Sequence, residues 1–127
     1  MTMWVAVLLG GALGSVALHG VTIATARLLG APSPWATAAV NMIGSMVIGV
    51  LAGALAANRL SMSRPAQAFV FVGILGGFTT FSSFMLDSLT LTQTGEPASA
   101  AVNLIGQVSA GLALTYAGYL AGLRLLS

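Results

Sequence analysis

Four long apolar segments alternate with three short polar ones along the chain. About 20 mostly apolar residues are enough for a helix to cross a bilayer, and each apolar segment reaches that length. The predicted spans cover residues 4–26, 35–57, 66–91 and 98–123. The polar segments between them cover residues 30–34, 58–65 and 93–97. The pattern therefore predicts an all-α membrane protein in which residues 1–127 form a single four-helix transmembrane domain.

The third apolar segment is interrupted near its middle. Gly76 and Gly77 are poor helix formers. Hydroxyl-bearing residues follow where a lipid-spanning helix normally carries hydrocarbon, and they are Thr79, Thr80, Ser82 and Ser83. Broken backbone at that depth is tolerated only where it is buried in protein or lines a watery cavity. We therefore predict that the third helix is broken mid-membrane and that the break is an ion-binding or permeation site.

Composition excludes several other classes of protein. Hydrophobic residues make up 57% of the 127 positions and charged residues 5%, with a mean hydropathy of +1.00. A soluble domain carries about 25% charged residues. Cysteine is absent, the single histidine, His19, has too few ligands nearby for a metal centre, and the arginines form no basic face for nucleic acid. Because no nucleophile–base pair or metal cluster can be assembled, we do not expect an enzyme.

The charges in the loops favour one orientation weakly. Arg59, Arg64 and Arg124 fall on the side of the N-terminus, whereas Arg27 falls on the opposite side with Glu96. The positive-inside rule therefore favours a cytoplasmic location for both termini. The bias is small enough to be compatible with insertion in both orientations. The apolar run at the N-terminus lacks a basic leading region, so we interpret it as a retained helix rather than a signal peptide.

Glycines recur in pairs at four-residue spacing, which places each pair on one helix face. The three GxxxG pairs are Gly10 with Gly14, Gly49 with Gly53, and Gly118 with Gly122. Such faces let helix backbones approach closely in lipid, where contact between small residues favours association. The pairs therefore predict close helix–helix contacts in the first, second and fourth spans.

Two spans also carry a stripe of polar and small residues at the same spacing. The stripe of the second span comprises Thr37, Asn41, Ser45, Gly49 and Gly53. The stripe of the fourth span comprises Asn103, Gln107, Gly111, Thr115 and Tyr119. Amide side chains deep in a membrane are costly unless they have partners. The stripes therefore either join helices through hydrogen bonds or line a narrow aqueous path and donate to a permeant ion.

Side chains beyond the interruption add candidate chemistry. Phe81 and Phe84 share a helix face, and aromatic ring edges are positive, so two rings presented edge-on can attract an anion. Asn41 offers an amide donor. Ordinary packing of the phenylalanines is the alternative. Asp87 is the one acid within a span, either a functional carboxylate or an interfacial group paired with Arg27.

Residues 76–84, GGFTTFSSF, resemble the signature of the Fluc fluoride channels, also called the CrcB family. The usual pattern there is a glycine pair followed by Thr-Thr-Phe-Ser-Thr-Phe. Residues 34–45 resemble the second-helix motif of that family, which ends in Val-Asn-Leu-Ile-Gly, and residues 10–14 and 111–119 give weaker matches to its first and fourth helices. Length, number of spans and motif order agree, so the resemblance covers nearly the whole chain.

The resemblance implies an antiparallel, dual-topology homodimer of four-helix subunits in the bacterial inner membrane. It implies two fluoride pores per dimer and passive, fluoride-selective export. It also implies a central structural sodium ion, Na+, bound between the subunits by main-chain carbonyls of Gly76 and Thr79. The fluoride-pore residues that it implies are Phe81, Phe84, Asn41, Ser82, Ser83 and Thr37.

Several positions depart from the residues that are usual in that family. Leu18 and His19 stand where an arginine followed by an aromatic residue is usual, and Ser83 replaces a threonine. In the fourth span, Asn103 and Gln107 stand where the family often has a tyrosine or another polar residue and then a serine. Gly111 occupies a position that is serine in some members. These changes affect the implied polar track most. They leave the glycine pair, the two phenylalanines and Asn41 intact.

Two other functions fit a short four-span protein. Small proton-coupled multidrug transporters of dual topology carry a membrane-embedded carboxylate in the first helix, where this chain has none and offers only Asp87 elsewhere. Pumping of a cationic dye that vanishes in Asp87→Asn would favour this alternative. A non-transporting helical adaptor held by its GxxxG faces is the third hypothesis, but it leaves the hydroxyl-rich interruption unexplained. Ion impermeability in liposomes would favour the adaptor.

Overall fold

The computed structural model of the protein describes residues 2–30 and 34–125. All regular secondary structure in these ranges is helical. The elements are α1 (Thr2–Leu29), α2 (Trp35–Ala56), α3 (Arg64–Gln67), a π-helix (Ala68–Leu75), α4 (Gly76–Phe78), α5 (Phe81–Gln93) and α6 (Pro97–Leu125).

Four of the helical stretches are long and apolar enough to cross a membrane. They are Thr2–Leu29, Trp35–Ala56, Arg64–Gln93 and Pro97–Arg124. The predicted number of four spans is therefore confirmed. Of the predicted turn at residues 30–34, residues 31–33 lie outside the described ranges.

The helix α1 packs along the π-helix and α4 through its glycine face. A Cβ added at Gly10 would overlap the Phe69 carbonyl oxygen, and one added at Gly14 would overlap the Ile74 carbonyl oxygen. The α1 backbone therefore lies directly against the third span, at a separation that only glycine permits. The predicted close contact of this GxxxG pair is confirmed.

The helices α2 and α6 form the most extensive contact in the fold. Their GxxxG pairs face each other's backbone, because a Cβ at Gly49 or Gly53 would overlap the carbonyl oxygen of Thr115 or Tyr119. A Cβ at Gly122 would in turn overlap the Val50 carbonyl oxygen. The other two predicted GxxxG contacts are thus confirmed, and both lie in one interface.

The third span differs from the sequence-based interpretation, which places the break at Gly76 to Thr80. Gly76 is helical, with φ −64° and ψ −33°, and Gly77 lies within α4. Only Thr79 and Thr80 have extended backbone. Gly77 instead allows close contact with α1, because a Cβ there would lie 2.8 Å from the Gly11 carbonyl oxygen. The sequence also does not reveal the π-helix that precedes them.

The two halves of the fold meet loosely. α1 with the π-helix and α4 makes one half, and α2 with α6 makes the other, with α5 packed on α6. α2 contacts the π-helix, α4 and α5 only sparsely. A cleft therefore remains between α2 and the third span, and the extended pair Thr79 and Thr80 lies in it.

Candidate functional site

The extended pair is held on its α5 side by a helix cap. Thr80 has φ −148° and ψ 120°, which places it outside the helix that begins at Phe81. Its hydroxyl oxygen accepts from the Ser83 backbone N–H at 3.2 Å. The same hydroxyl donates to the Ser83 side-chain oxygen at 3.1 Å. Thr80 is therefore the N-cap of α5 and satisfies one of the backbone donors that a helix start leaves open.

The backbone of Thr80 is held by the amide side chain of Asn41. The Asn41 Oδ1 accepts from the Thr80 backbone N–H at 2.9 Å, and the Asn41 Nδ2 donates to the Thr80 carbonyl oxygen at 3.1 Å. One carboxamide thus satisfies both backbone polar groups of an extended residue. In an apolar surrounding each unsatisfied group would cost several kcal/mol, so this double contact stabilises the extended conformation.

The amide of Asn41 continues into a chain of side chains on α6. Its Nδ2 also donates to Gln107 Oε1 at 2.9 Å, and Gln107 Nε2 donates to Asn103 Oδ1 at 2.9 Å. Asn103 Nδ2 then donates to the Ser88 hydroxyl at 3.0 Å. The amides of both polar stripes therefore do join helices through hydrogen bonds, as one of the two interpretations of the stripes predicts.

A cavity of about 340 Å³ lies in the cleft beside the extended pair. Its lining includes five of the predicted site residues, namely Asn41, Gly76, Thr79, Phe81 and Phe84. The remaining three do not line it. They are Thr37, which is buried on α2, and Ser82 and Ser83, which begin α5. In the single chain the structure thus gathers the amide, the rings and the extended backbone around one space.

The two phenylalanines are in contact but have very different exposure. Their ring centroids are 6.1 Å apart and the ring planes meet at 75°, which is an edge-to-face arrangement. Phe84 is 5% exposed, whereas Phe81 is 73% exposed. Phe84 is therefore part of the core of the single chain, and Phe81 projects from it.

Two backbone carbonyls at the extended pair are released from the helical hydrogen-bond ladder. In a continuous α-helix the Gly76 carbonyl would accept from the N–H of residue 80, but that N–H donates to Asn41. Likewise the Ser83 N–H donates to the Thr80 hydroxyl rather than to the Thr79 carbonyl. Carbonyl oxygens suit hard cations, so Gly76 and Thr79 fit a cation site made of backbone oxygens. Within the described ranges no group of three His, Cys, Asp or Glu side chains is placed to hold a metal.

Comparison with known proteins identifies the family. The family model described as "CrcB-like protein, Camphor Resistance (CrcB)" matches residues 5–119. The chain belongs to the CrcB family. Together with its four spans, this membership makes it a multi-pass membrane protein.

Relatives in the CrcB family resemble the chain over nearly its whole length. A protein of Nitrobacter winogradskyi named "Fluoride-specific ion channel FluC" is 47% identical over 117 residues, which is 92% of each chain. Proteins with the same name from Rhodospirillum centenum and Opitutus terrae are 44% and 38% identical. The matches cover 99% and 100% of this chain and 96% and 97% of those relatives.

Two residues of the site are missed by sequence reasoning. Thr80 is counted there only as a hydroxyl, although a threonine directly before a helical segment is a typical N-cap signal. Ser88 carries no signal, because a serine in mid-helix is ordinary, yet it is buried and accepts from Asn103. Its partner is known only once α5 and α6 are placed side by side.

Proposed function

We propose that this CrcB-family protein is a fluoride-selective channel that lets fluoride leave the cell passively through a bacterial inner membrane. Relatives named as fluoride-specific ion channels align with at least 91% of the chain. The observation that carries the proposal in this chain is the cavity beside the extended pair. Phe81 and Phe84 line it beside the extended backbone that Asn41 holds, and the positive edges of aromatic rings suit an anion.

The cavity lining and the proposed polar track together provide what a fluoride ion needs as it loses its bound water. Fluoride holds water strongly, so a selective path must replace that water with hydrogen-bond donors and positive ring edges. The Ser83 hydroxyl accepts from Thr80, which leaves its own hydrogen to donate to an anion. Ser82 and Thr37 complete the proposed polar track, and the rings of Phe81 and Phe84 form the apolar bore.

We further propose that the channel is an antiparallel, dual-topology homodimer with two pores. Phe81 on α5 is 73% exposed in the single chain. In a two-fold dimer the same surface of each chain meets the other, so the dimer contains two copies of the cavity and of each ring. A ring that projects from the chain in this way can complete a pore wall in the partner. The small charge bias of the loops supports insertion in both orientations.

The proposed dimer also provides a place for a structural sodium ion. The carbonyls of Gly76 and Thr79 are released in each chain by the contacts of Thr80 and Ser83. Two copies would supply four such oxygens around a two-fold axis. Bound there, the cation would offset the repulsion between the carbonyl dipoles and hold the two chains in register.

The proposed function is tested by reconstituting the purified protein in liposomes loaded with potassium fluoride or potassium chloride. When valinomycin lets potassium leave as the counterion, we expect fluoride to be released far faster than chloride without any proton or sodium gradient, because the channel is passive and selective. A fluoride electrode and a chloride electrode measure the two efflux rates, with protein-free liposomes as the control. Equal rates for the two anions would reject the proposal.

The sodium site is tested separately by thermal unfolding of the detergent-purified dimer. We expect a lower melting temperature after sodium is exchanged for N-methylglucamine, because an ion that binds only the native state stabilises it. At a concentration of 100 times the dissociation constant this stabilisation is about 2.7 kcal/mol. A melting temperature that is the same in sodium and in the organic cation would contradict the site.

A further inference from the structure

The hydrogen bonds around the extended pair form one chain in which every donor points the same way. The series starts at the backbone N–H of Thr80, the N-cap of α5, and ends at the backbone carbonyl of Phe84 near the start of α5. It passes in order through Thr80, Asn41, Gln107, Asn103, Ser88 and Phe84. The successive donor–acceptor distances are 2.9, 2.9, 2.9, 3.0 and 2.9 Å. Hydrogen bonds aligned in this way polarise and strengthen one another.

Both hydrogens of the Asn41 amide are used in hydrogen bonds to the protein. One goes to the Thr80 carbonyl and the other to Gln107 Oε1. The amide therefore has no hydrogen left for an ion in the cavity that it lines. An anion in this cavity meets the ring edges of Phe81 and Phe84, while Asn41 acts on the backbone of Thr80.

Gln107 and the Thr80 backbone together determine which way the Asn41 amide faces. If the amide were turned over, its NH₂ would face the Thr80 N–H and its oxygen would face both the Thr80 carbonyl and Gln107 Oε1. The Gln107 side chain is 8% exposed, so this repulsion would not be relieved by water. Gln107 itself is held by its donation to Asn103, which fixes which end of its own amide is the acceptor.

The Asn41–Gln107 hydrogen bond also lies between two cavities. Asn41 lines the cavity beside the extended pair. Gln107 and Asn103 line a second one of about 590 Å³, which opens between the start of α2 at Trp35 and the start of α6. The bond therefore joins a residue that lines one cavity to a residue that lines the other.

We propose that Gln107 is a positioning residue of the permeation site, which holds the Asn41 amide in the one orientation that fixes the extended backbone at Thr80. Its part in permeation rests on the proposed channel function. Its part in holding Thr80 does not, and can be measured without any ion flux. Gln107 acts through Asn41 and makes no contact with the permeant ion.

The test compares Gln107→Met, which keeps the length of the side chain but removes both hydrogen bonds, with Gln93→Met as a control. Gln93 is exposed at the end of α5, so the same chemical change is made outside the chain of hydrogen bonds. Fluoride efflux from liposomes is expected to fall about tenfold in Gln107→Met, since a buried donor loses its acceptor. Amide hydrogen exchange in the peptide that contains Thr80 is expected to become about tenfold faster. Gln93→Met is expected to behave as the parent in both measurements.

Rescue by Gln107→Glu separates positioning from simple filling of space. A protonated glutamic acid has one acceptor and one donor, as the amide uses here, whereas the ionised form has acceptors only and faces Asn103 Oδ1. Because a larger share of the carboxyl is protonated at lower pH, efflux in Gln107→Glu is expected to approach the parent value near about pH 5.5 and to fall near about pH 8. The Gln107→Met variant is expected to show no such change relative to the parent, with the leak of protein-free liposomes subtracted at each pH.

The outcomes separate the two proposals. If the parent passes no fluoride but the exchange at Thr80 rises in Gln107→Met, the channel function is wrong and the structural role of Gln107 stands. If efflux falls while the exchange at Thr80 is unchanged, Gln107 acts directly and the positioning role is wrong. Parent-like efflux and exchange in Gln107→Met, or a Gln107→Glu variant as inactive at low pH as at high pH, would also overturn it.

Discussion

Phe81→Ala is expected to lower fluoride efflux about tenfold or more, which corresponds to about 1.4 kcal/mol in the barrier, while the fold is kept. The ring is 73% exposed in the single chain, so its removal takes little from the core. It meets Phe84 edge-on at 6.1 Å, and that pair is the proposed apolar bore. Liposome efflux measures the rate, and size-exclusion elution with thermal unfolding checks the assembly.

Two further variants make this expectation specific. Leu86→Ala removes a 62% exposed side chain from the same helix and is expected to leave the efflux rate near the parent value. Phe84→Ala empties a buried position and is expected to cost about 3–5 kcal/mol of stability in addition to flux. Undiminished efflux in both phenylalanine variants would reject the ring-edge mechanism, and an equal loss in Leu86→Ala would show that the effect is not due to the ring.

Gly122→Ala is expected to destabilise the protein by about 1–3 kcal/mol or more, because its new methyl group has no room. A Cβ there would overlap the Val50 carbonyl oxygen and lie 2.8 Å from the Ala54 nitrogen. Both are backbone atoms of α2, which cannot move aside as a flexible side chain would. The two helices must therefore move apart at this point, which weakens the most extensive contact of the fold. The temperature at which half of the protein loses its monodisperse elution peak measures this effect.

Gly106→Ala is the matched control on the same helix. A Cβ at Gly106 meets nothing within 4 Å. Since alanine favours the helix by about 1 kcal/mol over glycine, this variant is expected to be as stable as the parent or slightly more stable. Equal stability of the Gly122 and Gly106 variants would mean that the contact between α2 and α6 is looser than the structure has it.

Much of the fold follows from local features of the sequence. The length of each apolar segment predicts a span, and four spans are present. Glycines at four-residue spacing predict close backbone contacts, and all three pairs make them. Both signals are local, because hydropathy over about 20 residues and the 3.6-residue helical period need no knowledge of the partner helix.

The candidate site is only partly visible in the same way. Asn41 stands out as an amide on an apolar helix, and the phenylalanines stand out because they flank hydroxyl residues. The sequence suggests for Asn41 a donor to a permeant ion, whereas its amide hydrogens go to Thr80 and Gln107 in the structure. The unequal burial of Phe81 and Phe84 is equally invisible, because one helix face does not tell which of its residues meets α2 or α6.

By itself the sequence determines a membrane protein with four spans, glycine faces that contact other helices, and an interruption of the third span. Only the tertiary structure decides that the extended backbone is at Thr79 and Thr80 and that the glycines before it serve α1 instead. The reason is the origin of the contacts. Thr80 is held by Asn41, 39 residues away, and Asn41 by Gln107, 66 residues away. Hydrogen-bond partners at such separations depend on how the helices pack, and local sequence patterns do not predict that packing.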